Sequence, residues 1–224
     1  VLSFFWHDWT SIATSFARRI FRRIPYEQQP DGSRMGRLAL PIIVATVPAA
    51  VIGYKFDSQI EGMRDRPWML AVVATALIVV AVVMLLAERV GQKKRAMGQM
   101  TYADYIVIGF AQALALIPGV SRSGATISAG LFRGLDRGSA ARFSFLLSTP
   151  VIFGAGLVQL IKSVLESGLP EGQLSVLIVG FLAAAVSGYL AIKFLMSYLQ
   201  RAGLKVFAVY RFVLAAGILL SFLR

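Results

Sequence analysis

The run Pro118-Gly119-Val120-Ser121-Arg122-Ser123-Gly124-Ala125-Thr126 sets an arginine, two serines and a threonine inside an otherwise apolar part of the chain. These residue types suit the handling of an oxyanion. A guanidinium presents a planar fork of N–H donors that matches a phosphate or diphosphate. Pro118 ends a preceding helix, Gly119 lets the backbone turn, and Ser121 or Ser123 can cap the helix that follows. Unpaired N–H groups at that helix start, at the positive end of its dipole, make an anion site. Arg122 and Thr126 are four apart, so a helix that already includes Arg122 puts both on one face, where they can address one oxyanion together. The plainer alternative leaves the serines as caps and pairs Arg122 with a carbonyl or an acid elsewhere. An arginine at membrane depth costs about 2.5 to 3.5 kcal/mol on insertion scales and is functional by default, which favours the first reading.

Two further polar residues sit in apolar surroundings. Arg211, in Val209-Tyr210-Arg211-Phe212, lies inside an apolar run and either snorkels to a membrane edge or serves the site. Gln112 can hydrogen-bond the Pro118–Thr126 loop or make an ordinary contact between helices. Gly130 and Gly134 are spaced for close helix packing. Pro48 and Pro150 are expected to bend the helices that contain them. With no cysteine and a single histidine, His7, the chain offers no thiolate or multi-histidine metal site.

What must position these residues is a membrane protein. Of the 224 residues 57% are apolar and 15% charged, and 23 basic residues face 11 acidic ones, for a net charge of +12. A mean hydropathy of +0.71 with so few charges excludes disorder, a collagenous repeat and a disulfide scaffold, and leaves much of the surface for lipid. The bases lie between long apolar runs, as topology signals do, rather than on a solvated face for nucleic acid. Runs near the length of about 20 residues needed to cross a bilayer are Leu38–Phe56, Trp68–Ala87, Phe143–Leu165, Leu174–Leu199 and Val206–Leu223. The expected fold is all-α and polytopic, a single integral membrane domain over residues 1–224 with about six transmembrane segments. Basic connections at Arg18–Arg37, Arg89–Arg95 and Arg201–Lys205 read as cytoplasmic, and Glu166–Gln173 reads as outside. Residues 105–133 lie between two basic flanks and are broken at Pro118-Gly119 into arms of about 13 residues, about 20 Å each. Neither arm spans a hydrocarbon core of about 30 Å. A re-entrant helix–loop–helix is expected, with its tip lining a cavity.

At these residues the chain resembles the undecaprenyl-diphosphate phosphatase family, also called bacitracin-resistance proteins. The family's second signature, Pro-Gly-x-Ser-Arg-Ser-x-x-Thr, is matched from Pro118 to Thr126 without a departure, and the likeness extends through Gln112-Ala113, Phe143–Leu147, Pro150 and Phe207–Phe212. The resemblance implies a bacterial inner-membrane hydrolase that removes one phosphate from undecaprenyl diphosphate, with that isoprenoid lipid diphosphate and membrane lipids as its partners. It also implies an inverted-repeat fold whose two re-entrant hairpins meet at an outward-facing pocket. By the same resemblance Arg122 holds the diphosphate, with Gly119, Ser121, Ser123 and Thr126 completing its cradle, and Arg211 matches a basic position near the end of the family sequence.

The family's first signature, a glutamate-rich hairpin followed by a Ser-Ser-x-x-His run, is absent, and the surroundings of His7 do not match it. The expectation is a chain lacking its amino-terminal portion, the alternative being a partner that supplies the other hairpin. A divalent cation, Mg or Ca, is expected with its ligands in that missing portion, and no metal ligand is assigned here. The attacking group stays open between water and a serine. The rival reading is a transporter or flippase of phosphorylated isoprenoid lipid, because broken helices near mid-membrane are transporter devices, and a third is an inactive scaffold.

Overall fold

The computed structural model describes residues 1–21, 36–63, 66, 68–167 and 174–221, and among them it is helical throughout, without a strand. The helices are α1 (Trp6–Phe21), α2 (Ala39–Met63), α3 (Met69–Val90), α4 (Tyr102–Leu114), α5 (Arg122–Phe132), α6 (Arg137–Ser167), α7 (Leu174–Ala202) and α8 (Lys205–Ser221). Among the described residues four stretches are long and apolar enough to cross a membrane: Gly36–Phe56, Met69–Val90, Arg137–Lys162 and Ser175–Ala202. They coincide with the first four expected spans. The fifth corresponds to α8, which is described over 17 residues.

Side-chain character follows a lipid-facing bundle rather than a soluble core. Leu, Val and Phe side chains stand exposed along α2, α6, α7 and α8, while the buried positions are rich in alanine: Ala74, Ala81 and Ala87 of α3, Ala140 and Ala141 of α6, Ala208 and Ala215 of α8. Small residues let helix backbones approach where lipid removes any hydrophobic drive to associate. The closest approaches are at glycines. A Cβ on Gly109 of α4 would lie 2.6 Å from the Ala45 carbonyl oxygen of α2, and one on Gly130 of α5 would lie 2.9 Å from the Ala140 Cβ of α6. Gly134, paired with Gly130 by spacing, is no packing residue: with φ 81° it makes the turn after α5. Pro48 and Pro150 lie within α2 and α6, which continue through them.

Charges gather at the end of the bundle where the basic connections meet. The Gly134 carbonyl accepts from the N–H groups of Lys94 and Arg95, and Asp136 N–H donates to the Arg95 carbonyl at 2.8 Å. Asp104 lies in the first turn of α4, and its carboxylate accepts from the Thr101 N–H at 2.7 Å and the Thr101 hydroxyl at 3.0 Å. Its fully buried carboxylate accepts from Arg95 Nη2 at 2.7 Å and from Arg133 Nε at 2.6 Å, so the start of α4 and the end of α5 are tied together. Asp8 of α1 pairs with Arg142 of α6. Glu88 of α3 pairs with Lys93 and with Arg137 of α6. A carboxylate out of water is stable only when so partnered.

Candidate functional site

Between α4 and α5 the chain makes a tight turn whose chemistry is local. Val120 N–H donates to the Ile117 carbonyl at 3.0 Å, Pro118 fills the second position and Gly119 the third with φ 89°. This is a type II turn, which needs a residue at ease with positive φ in its third position. Gly119 is also required by space: a Cβ there would lie 2.7 Å from the Val73 carbonyl oxygen and 2.9 Å from its Cα. The turn therefore rests on α3 close to its Met69 end.

Ser121 follows as the N-cap of α5, with φ −72° and ψ 121°, and its Oγ accepts from Gly124 N–H at 3.1 Å. The Ser123 Oγ lies 3.4 Å from the Ser121 Oγ. Ala125 N–H bonds the Ser121 carbonyl at 2.9 Å, so the helix closes behind the cap and leaves the N–H groups of Arg122 and Ser123 at its positive end, where anions are favoured.

Arg211 completes the arrangement from α8. It is 8% exposed, its Nη2 donates to the Gly119 carbonyl at 2.6 Å, and its Nε is buried without a partner among the described residues. Of the two roles open to it on sequence, snorkelling is the one this position does not fit. Ser121, Ser123, Gly124 and Arg211 together line a cavity of about 260 Å³ whose remaining wall is apolar, from Leu77 and Met84 of α3 to Phe207 and Tyr210 of α8.

Three sequence candidates fall elsewhere. Thr126 is 1% exposed, and its Oγ1 lies 2.8 Å from the Arg122 carbonyl and 2.6 Å from the Ser144 Oγ of α6. Sharing a helix with Arg122 does not bring its hydroxyl to the cavity. Gln112 is 2% exposed, its amide nitrogen and oxygen lack partners among the described residues, and it is not among the lining side chains. Arg122 is half-buried and also stands outside that lining.

Further cavities flank the helices. An apolar groove of about 490 Å³ lies beside the Pro118 turn, between Phe56 of α2, Trp68 and Val72 before and within α3, and Phe110 and Leu114 of α4. A polar cavity of about 810 Å³ lies at the charged end between α1, α6 and α7, with His7, Asp8, Arg142 and Lys193 in its wall.

A resident divalent cation would need a cluster of oxygen or nitrogen donors at the cavity. Among the described residues no three carboxylates or imidazoles converge. Asp8, Glu88 and Asp104 are held by arginine, and Asp136 caps α6 through the N–H and hydroxyl of Ser139. None of the four lines the 260 Å³ cavity. These side chains do not fit a metal there.

The chain is 47% identical over 216 residues to an undecaprenyl-diphosphatase of Rubrobacter xylanophilus, covering 96% of this chain and 76% of that protein. It is 42% identical over 234 residues to an undecaprenyl-diphosphatase of Thermomicrobium roseum, covering 100% and 81%, and 44% identical over 218 residues to one of Thermodesulfovibrio yellowstonii, covering 97% and 75%. The family described as bacitracin resistance protein BacA matches residues 1–217. With a motif turn, a capped helix start and a buried arginine meeting at one cavity, and a match over nearly its whole length, the chain belongs to the BacA family.

Proposed function

We propose that the protein hydrolyses undecaprenyl diphosphate to undecaprenyl phosphate and inorganic phosphate in the bacterial inner membrane, regenerating a lipid carrier for cell-wall synthesis. The observation that carries this reading is the convergence of Ser121, Ser123 and Arg211 on one cavity at the start of α5. The bond between the terminal phosphorus and the bridging oxygen breaks, the lipid phosphate keeps that oxygen, and water supplies the hydroxyl of the inorganic phosphate and the proton released, whether it attacks directly or after a serine. Charge spread over the phosphoryl oxygens in the transition state is met by fixed donors, which is where most of the catalysis of phosphoryl transfer lies. Arg211 offers Nε and its remaining N–H groups, α5 offers the N–H groups of Arg122 and Ser123, and the Arg122 guanidinium supplies a second positive charge. Ser121 and Ser123 donate hydroxyl hydrogen bonds, and Gly119 keeps the turn low enough for Arg211 to reach. Thr126 ties α5 to Ser144 of α6 from behind. A divalent cation belongs to this proposal only with ligands beyond the described side chains.

The same proposal makes α4 and α5 a re-entrant hairpin within a fold of about six spans. Helices of 13 and 11 residues reach about 20 and 17 Å at 1.5 Å per residue, short of a hydrocarbon core of about 30 Å. The Asp104 clasp at their open end supports entry and exit on one side. The apolar groove beside Pro118 suits the isoprenoid tail, which stays in an apolar phase while its head group is held.

Phosphate release from undecaprenyl diphosphate in detergent tests the proposal, with the full-length protein and its Arg211→Ala form compared. Release that falls by at least 100-fold in the variant supports it. Tight lipid binding with no release from the intact protein would move the reading to a transporter of the same lipid.

A further inference from the structure

We infer that Glu88 is a positioning residue for this site: it caps the start of α8 and so sets where Arg211 stands. The inference rests on reading the Ser121–Arg211 cavity as the diphosphate site. Glu88 lies in the last turn of α3 and is 6% exposed. Its Oε2 accepts from Leu204 N–H at 3.3 Å, and its Oε1 accepts from Arg137 Nε at 2.8 Å and pairs with Lys93 Nζ at 2.8 Å.

Leu204 immediately precedes α8, and its carbonyl accepts the first bond of that helix, from Ala208 N–H at 3.1 Å. A leucine at this position has no side chain with which to satisfy the exposed N–H groups of a helix start. Glu88 accepts instead from the N–H of Leu204 itself, the bond that a glutamate three residues into a helix makes in a capping box, and it sets a negative charge at the positive end of the α8 dipole. Gly203 shapes the same junction: its φ is 70°, and a Cβ there would lie 2.8 Å from the Glu88 Oε2 and 3.0 Å from Arg137 Nε. Thus α7 ends and α8 begins around one carboxylate.

From that point α8 buries Leu204, Ala208, Arg211 and Ala215, a spacing of four, three and four that makes one stripe, and α8 packs along α3. Arg211 is seven residues beyond Leu204, two turns or about 10 Å along the axis. The stripe between them is alanine, which lets the helices approach but gives few knobs to fix rotation. A slip of one residue turns the helix by about 100° and takes Arg211 off the Gly119 carbonyl. A buried polar contact of this kind is suited to setting register.

A double-mutant cycle tests the link in the full-length protein, read as kcat and KM for phosphate release, with monodisperse elution as the check of folding. Glu88→Ala is expected to lower kcat about 10- to 100-fold with little change in KM, the size of effect that a misplacement of about 1 Å produces. In an Arg211→Ala background the same change is expected to cost less than 2-fold, because the group it positions is gone. Gly203→Ala, which displaces the carboxylate, is expected to reproduce the kcat loss and its disappearance without Arg211, and it replaces Glu88→Ala in the cycle should that variant not fold. Glu88→Gln, which keeps an oxygen for Leu204 N–H, is expected to recover most of the activity. Equal losses in both backgrounds, or a folded Glu88→Ala protein with unchanged kcat, overturn the inference. Unchanged release on Arg211→Ala alone removes the site reading itself, a result distinct from either.

Discussion

Arg211 of α8 and Gly119 of the interhelical turn are joined by a 2.6 Å hydrogen bond from a guanidinium nitrogen to a backbone carbonyl. That bond uses one of five N–H donors, and the Nε beside it is buried and unpaired among the described residues. Unsatisfied buried donors are costly, and in the proposed function an oxyanion in the cavity relieves this one. Arg211→Lys keeps the charge but has no second edge with which to hold both the carbonyl and a ligand. Its kcat/KM for phosphate release is expected to drop at least 100-fold, comparable to removing an oxyanion donor.

Gly119→Ala tests the turn itself. A left-handed backbone costs a residue with a Cβ about 1 to 2 kcal/mol, and the new carbon would meet the Val73 backbone at 2.7 Å. Gly180→Ala is the control, because nothing lies within 4 Å of its Cβ position and alanine favours helix by about 1 kcal/mol. Thermal melting in detergent should show a clear fall in Tm for the first and none for the second.

Ser123 and Thr126 look alike in sequence but should separate in assay. Ser123→Ala removes a hydroxyl from the cavity wall and is expected to lower kcat with little change in melting temperature. Thr126→Val breaks the buried contact with Ser144 at 2.6 Å and leaves that hydroxyl without this partner, a cost of about 1 to 3 kcal/mol. Its loss should appear in stability, with kcat retained in the folded fraction at low temperature.

What the sequence made legible was local, and what it left open depended on partners distant in the chain. Pro118, Gly119 and Ser121 announce a turn and a cap because their effects act within a few residues, and the structure places a type II turn and an N-cap there. The direction of Thr126 depends on Ser144 of α6, and the role of Arg211 on how α8 lies along α3, neither of which periodicity reports. Gly130 and Gly134 share a spacing, yet one packs against Ala140 and the other turns the chain. Glu88 and Asp104 were read past altogether. An acid near the end of an apolar helix is the signal that could have found them, since it has to be paired to stay there.

Asp104 predicts how stability depends on pH. Burial alone would push its carboxyl up, but hydrogen bonds from Arg95, the Thr101 N–H, Arg133 and the Thr101 hydroxyl outweigh that and hold it well below the usual carboxylate range. A depressed folded-state pKa means the carboxylate's contribution is complete above its unfolded value of about 3.9 and is lost as pH falls through that value toward the folded one. The Tm of the intact protein should therefore fall as pH drops from about 5 to 3. Asp104→Asn should begin lower and show a shallower decline over the same window. Equal slopes would remove Asp104 from the account.

The last prediction concerns topology, where charge and geometry meet. The Asp104 clasp joins the outer ends of α4 and α5 beside Arg95, at the basic end of the bundle. The Gly119 turn packs on Val73, four residues into α3, or about 6 Å from its Met69 end at 1.5 Å per residue. If α4 and α5 form the proposed re-entrant hairpin and its basic end is cytoplasmic, the tip lies most of the way to the opposite face, and cytoplasmic flanks are compatible with a site open outward. Single cysteines at Ser123 and Arg66, treated with a membrane-impermeant thiol reagent in oriented vesicles, distinguish the cases. Labelling of both from the outer face is the expected result, with Ser123→Cys protected by undecaprenyl diphosphate and Arg66→Cys indifferent to it. Labelling of Ser123→Cys from the cytoplasmic face alone would reverse the direction from which the lipid head group reaches α5.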